Sequence, residues 1–173
     1  MKICFLDRDG TIIKDYEDSE WKFKEFPEFI DGTFESLRLL SKMGYKFIII
    51  TNQHIIGEGI ITLENYKNFH KKVINKLLSE NVEILDTFYC PHKIAENCDC
   101  RKPKLGLINK ALIKYPFINI DKSIMIGDSE CDMRLAENLN IRGFYLGDKN
   151  IENKKVTKIK SLAEVVEIIG NLK

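Results

Sequence analysis

Three apolar runs in this 173-residue chain each stop in a cluster of polar side chains. Residues 3–6 (ICFL) give way to Asp7, Asp9, Gly10 and Thr11. Residues 46–50 (KFIII) end in Thr51, Asn52 and Gln53, and residues 123–126 (SIMI) end in Gly127 and Asp128, with Asp132 one helical turn further on. Between and after these runs lie segments of helical period, at residues 33–43, 62–80, 105–115 and 130–139. The second of them sets Leu63, Tyr66, Phe69, Val73 and Leu77 on one face, with Thr62 placed to cap it. Residues 84–89 and 141–146 read as further strands, and residues 161–170 as a helix opened by the capping box SLAE. Residues 147–160 are polar and lysine-rich, and read as a surface connection. Strands that alternate with helices predict an α/β fold, a Rossmann-like parallel sheet with helices on both faces. The carboxyl ends of such strands share one edge, where ligand sites lie, so the three polar clusters are expected to converge there. No linker or repeat divides the chain, and residues 1–173 are expected to form a single domain.

Composition removes several function classes. The formal net charge is +1, and acids are interspersed among the lysines, so no overall field draws in nucleic acid or an anionic membrane. No apolar stretch approaches the roughly 20 residues of a spanning helix. The first strand starts without a signal-peptide pattern, which makes the cytoplasm the expected compartment. Neither GxxxxGK[ST] nor GxGxxG occurs, which argues against a P-loop kinase or a dinucleotide enzyme.

Several carboxylates at close range call for a cation, and hard oxygen donors suit Mg²⁺ with a phosphate-bearing partner. A carboxylate can also attack phosphorus, and a second acid two residues on can move protons to and from the reacting oxygens. Thr51 and Asn52 supply neutral donors to phosphoryl oxygens, and a lysine would offset their charge. DxDGT, then TN, then a lysine, then GDxxxD resembles the haloacid-dehalogenase superfamily of phosphatases. The resemblance implies Asp7 as nucleophile, Asp9 as general acid and base, and Mg²⁺ held by the Asp7 side chain, the Asp9 carbonyl and the Asp128 side chain. It implies that Thr51 and Asn52 hold the phosphoryl group and that Asp132 orients the ligands.

Residues 89–106 (YCPHKIAENCDCRKPKLG) bring Cys90, His92, Cys98 and Cys100 together. Two close-spaced ligand pairs across a short loop suit a closed, structural zinc site of three thiolates and one imidazole. Zinc would pin the basic pair that follows, with Lys102 the expected active-site lysine and Arg101 the contact to a second anionic group. This loop is similar to that of the D-glycero-D-manno-heptose 1,7-bisphosphate phosphatases and of the histidinol-phosphate phosphatase domain. The former are small chains with a minimal cap, and the resemblance implies a phosphorylated small metabolite, most readily a sugar bisphosphate, and a monomer. Its DxGY loop corresponds to residues 15–18 (DYED), which keep the aspartate, so Asp15 is carried over as a substrate contact. The chain departs from the pattern at residues 54–59 (HIIGEG), where Glu58 stands in place of arginine, and at Ser129, where a lysine often follows GD. Two other classes stay open on the sequence: a zinc-loop binding module without catalysis, and a 3′-phosphatase on nucleic-acid ends, which the near-zero charge disfavours. His54 reads as a loop residue, His70 as a surface residue and Cys4 as an apolar filler. Cys131 has nothing to activate it. Trp21, Phe23, Phe26 and Phe29 read as core packing or a substrate lip.

Overall fold

The computed structural model describes residues 1–149, 151 and 153–171. Six parallel strands form one sheet: β1 (Lys2–Leu6), β2 (Tyr45–Asn52), β3 (Ile84–Cys90), β4 (Ile124–Gly127), β5 (Arg142–Tyr145) and β6 (Val156–Lys158). Their spatial order is β3-β2-β1-β4-β5-β6, so the strand sequence reverses direction between β1 and β4. A ligand crevice opens at such a reversal, beyond the carboxyl ends of the strands. The helices are α1 (Thr33–Lys42), α2 (His54–Gly57), α3 (Leu63–Ser79), α4 (Gly106–Lys114), α5 (Glu130–Asn138) and α6 (Leu162–Gly170).

Alternate side chains of each strand face opposite layers, which is why the strands carry unbroken apolar runs. Cys4, Leu6, Phe47 and Ile49 pack with Leu37 and Leu40 of α1, Val73 and Leu77 of α3, and Val165 and Ile169 of α6. Ile3, Phe5, Ile48 and Ile50 pack with Ile108 and Ala111 of α4 and with Met133 and Ala136 of α5. Cys4 is a filler in the first layer, as its place in the strand implies. The connection from β1 to α1 holds one short 3-10 helix, Asp18–Phe23, and no inserted domain.

Four local expectations change. Strand β2, expected over residues 46–50, runs from Tyr45 through Thr51 and Asn52, which pair with Tyr89 and Cys90. Residues 147–160, part of which lies outside the described residues, include strand β6. Its three residues hide from a periodicity search because they sit at an edge and pair only with β5. The SLAE box does not close: Ser161 makes no side-chain cap bond, and Glu164 accepts from the Lys160 amide at 3.2 Å instead. Thr62 does cap α3, accepting from the Asn65 amide at 3.0 Å.

His70 is the fourth. It is half-buried, stacked on Tyr66 at 5.6 Å and bonded through Nε2 to Thr87 Oγ1 at 3.0 Å. Burial, aided by the charge of Arg8, lowers its pKa to about 4. An unfolded chain therefore binds a proton here at a pH where the folded one does not, and the stability this contributes is lost as pH falls from about 6.5 towards 4. Urea titrations should show His70→Gln losing about 2 kcal/mol less stability than wild type across that window. Equal losses in both would show that another group governs acid unfolding.

Candidate active site

Asp7 follows β1 and Asp128 follows β4, the two strands that flank the reversal, and the Asp7 amide bonds to the Ile126 carbonyl at 3.0 Å. One carboxylate oxygen from each of Asp7, Asp128 and Asp132 lies within 4.8 Å of the others. Glycine permits this crowding. A Cβ on Gly10, whose φ is +78°, would clash with Asp128 Oδ2, and one on Gly127 would clash with the Asp132 side chain. Lys102, brought in by the cysteine loop, places Nζ 2.8 Å from Asp7 and 2.6 Å from Asp132. Burial works against its charge, but Asp132 and Asp7 outweigh it and hold the ammonium charged.

One ammonium does not balance three acids. Burial first, then Asp132, Asp128 and Asp9, push the Asp7 carboxyl well above its usual range despite Lys102. Burial and Asp132 likewise push Asp128 up to about 6. A hard divalent cation among these oxygens would reverse both shifts, so the donor set fits Mg²⁺. Gly10→Ala should drive Asp128 out of this set. If this set holds a divalent ion, titration with Mg²⁺ should read an affinity weakened by about 10²-fold; unchanged metal binding would contradict this placement.

The remaining candidates surround this centre. Thr51 is buried and its hydroxyl accepts from Gln53 Nε2 at 3.0 Å. Asn52 clasps the backbone of Lys102, its oxygen accepting from the Lys102 amide at 2.9 Å and its Nδ2 donating to the Lys102 carbonyl at 3.3 Å. Asn52 thus ties the loop that carries the lysine to the end of β2. Asp132 also accepts from the Ser129 amide at 3.2 Å, the residue where the pattern more often has lysine. The Asp9 carboxylate stands apart from the three-acid cluster, bound by Arg8 at 2.8 and 2.9 Å and by Gln53 Nε2 at 2.6 Å. Arg8 and Gln53 were given no role by the sequence pattern, although each directly adjoins a residue that was. Asp15 turns its carboxylate onto the Tyr16 amide at 2.9 Å. It shares an open cavity of about 550 Å³ with Asp18, Lys24 and His54, and its charge reaches Asp128. His54 Nε2 lies 3.0 Å from Asp18. Arg101 is half-buried, with Nη1 shielded and without a protein partner. Burial pushes the Cys131 thiol up to about 11, which leaves it protonated beside the site.

Cys90, His92, Cys98 and Cys100 also offer ligand atoms within 4.8 Å of one another. Sulfur to sulfur separations are 3.4, 3.1 and 3.5 Å, and His92 Nδ1 lies 3.1 Å from Cys100 and 3.6 Å from Cys90. A tetrahedral zinc site with bonds of about 2.3 Å has edges only slightly longer, so the residues fit that ion.

Sheet order and clustered acids agree with a fold of the haloacid-dehalogenase type. A family model, "Polynucleotide kinase 3 phosphatase", matches residues 2–158, and the chain belongs to that family. The chain is 39% identical over 142 residues to the "Probable D-glycero-D-manno-heptose-1,7-bisphosphate 7-phosphatase" of Thermoplasma acidophilum, covering 82% of this chain and 87% of that protein. It is 38% identical over 164 residues to the "Histidine biosynthesis bifunctional protein HisB" of Campylobacter jejuni, covering 92% of this chain but only 46% of that protein. The chain therefore spans about half the length of such bifunctional relatives. The D,D-heptose 1.7-bisphosphate phosphatase of B. bronchiseptica, solved with magnesium and phosphate, superposes with a TM-score of 0.86 at 21% identity over all of both chains. That of Burkholderia thailandensis gives 0.69 at 21% identity over 98% of each. Among the described residues no helix is long and apolar enough to cross a membrane.

Proposed function

We propose that the chain is a Mg²⁺-dependent phosphomonoesterase working through an aspartyl-phosphate on Asp7, with the 7-phosphate of D-glycero-D-manno-heptose 1,7-bisphosphate as the preferred substrate. The observation that carries this reading is the meeting of Asp7, Asp128 and Lys102 at the point where the sheet reverses. An Asp7 oxygen attacks phosphorus, the bond to the sugar oxygen breaks, and Asp9 gives that oxygen its proton. Water then attacks the phosphorus of the aspartyl-phosphate, Asp9 takes its proton, and the Asp7 carboxylate leaves as inorganic phosphate forms. Thr51, Asn52 and Lys102 steady the phosphoryl oxygens, Arg101 meets a second anionic group, and Asp15 meets the sugar. Mg²⁺ held by Asp7, the Asp9 carbonyl and Asp128, oriented by Asp132, would neutralise charge on the transferring group. Zinc on Cys90, His92, Cys98 and Cys100 would hold the loop closed.

The reading takes residues 1–173 as one phosphatase domain, acting as a cytoplasmic monomer on a small metabolite. The net charge of +1 supports a small substrate over a nucleic-acid end. The heptose enzyme of Thermoplasma supports the sugar bisphosphate, since the two chains nearly match in extent. Histidinol phosphate is the second reading, favoured by the 38% identity to HisB. A phosphate-release panel with Mg²⁺ decides: heptose bisphosphate, histidinol phosphate, a nucleotide and a 3′-phosphorylated oligonucleotide. The proposal expects the highest kcat/KM on the heptose. Preference for histidinol phosphate or the oligonucleotide replaces the substrate, and no release from any member ends the catalytic reading.

A further inference from the structure

Arg8 is almost wholly buried, and its guanidinium lies in a box of aromatic rings. The guanidinium carbon is 5.5 Å from the Trp21 ring, 5.2 Å from Tyr66 and 5.6 Å from Phe69. Trp21 meets Phe69 edge-on at 5.5 Å, which closes the box between the 3-10 helix and α3. From inside it the fork reaches Asp9, with Nε on Oδ1 at 2.8 Å and Nη2 on Oδ2 at 2.9 Å. Nη1 has no protein acceptor.

A buried ion pair is a poor way to gain stability, because packed apolar side chains of equal volume do as well or better. The fork geometry instead gives directional control that an ammonium lacks. We propose that Arg8 is a positioning residue: caged by Trp21, Tyr66 and Phe69, it fixes the carboxylate of Asp9 and so sets how well Asp9 delivers its proton to the departing oxygen. Trp21 belongs to the same stretch as Asp15 and Asp18, so the cage also links the acidic loop to the proton donor. This rests on Asp9 being the general acid.

The test compares kcat/KM for an alkyl phosphate with that for 4-nitrophenyl phosphate, whose phenolate departs without a proton. Arg8→Lys keeps the charge without the fork, Arg8→Met keeps the volume, and Trp21→Leu opens the cage without touching the pair. Asp9→Asn is the reference, and thermal unfolding monitors the fold of each variant. The Arg8 variants should lose about 10²-fold on the alkyl substrate and far less on the aryl one, with the same split, smaller, in Trp21→Leu. An equal loss on both substrates, or no loss, in folded Arg8→Lys overturns the role of Arg8 if Asp9→Asn still shows the split. Absence of the split in Asp9→Asn removes the acid role of Asp9, and that of Arg8 with it.

Discussion

Asp7→Asn should abolish turnover and leave the chain folded, with kcat reduced by at least about 10⁴-fold on every substrate. The effect is large because an amide cannot form the acyl phosphate that the Asp7 carboxylate would form. Asp128 and Asp132 lie within the cluster, but Asp132 accepts from Lys102 at 2.6 Å and from Ser129, which fixes its carboxylate from behind. The fold survives because Lys102 keeps Asp132 as its partner when Asp7 becomes neutral. Removing one charge from acids that already push each other's pKa upward relieves repulsion. The melting temperature is therefore expected to hold or rise. Circular dichroism and steady-state assays read the two halves, and a variant within about tenfold of wild type would contradict the nucleophile assignment.

Disruption of the cysteine site should have the next largest effect. Purified protein is expected to carry about one equivalent of zinc that resists gentle chelation. Cys100→Ser should lower that content and cost at least about 3 kcal/mol, or roughly 10 °C in Tm for a chain of this size. The loss reaches catalysis through geometry. Cys90 pairs with Asn52 where β2 ends, Cys100 lies two residues before Lys102, and Asn52 holds the Lys102 backbone. A loosened loop moves the Lys102 ammonium that faces Asp7. Displacement by about 1 Å costs on the order of 10²-fold in kcat. Zinc-free protein with an unchanged Tm and full activity would remove the metal from the account.

What the chain spells out locally, its sequence announces. The strands are apolar on both faces, so their runs stand out, and the acids that end them share an edge by the rules of parallel sheets. Four cysteine-loop ligands close in sequence meet because their spacing leaves little choice. What depends on distant packing is silent. Nothing next to Arg8 says that Trp21, Tyr66 and Phe69 will enclose it, since two separate elements supply those rings. That Asn52 also holds the backbone of Lys102 shows only once the loop folds onto the end of β2. His70 follows a helical pattern among lysines, yet α3 turns it against Tyr66 and Thr87. The SLAE box failed because Glu164 found the Lys160 amide, one residue before the expected partner.

The most direct measurement is an acid quench during turnover of a phosphate-labelled substrate, followed by peptide mapping. Attack by Asp7 predicts a hydroxylamine-sensitive label on the peptide containing residues 7–9, absent from Asp7→Asn. Turnover without any protein-bound phosphate, or with label on a different residue, would contradict it.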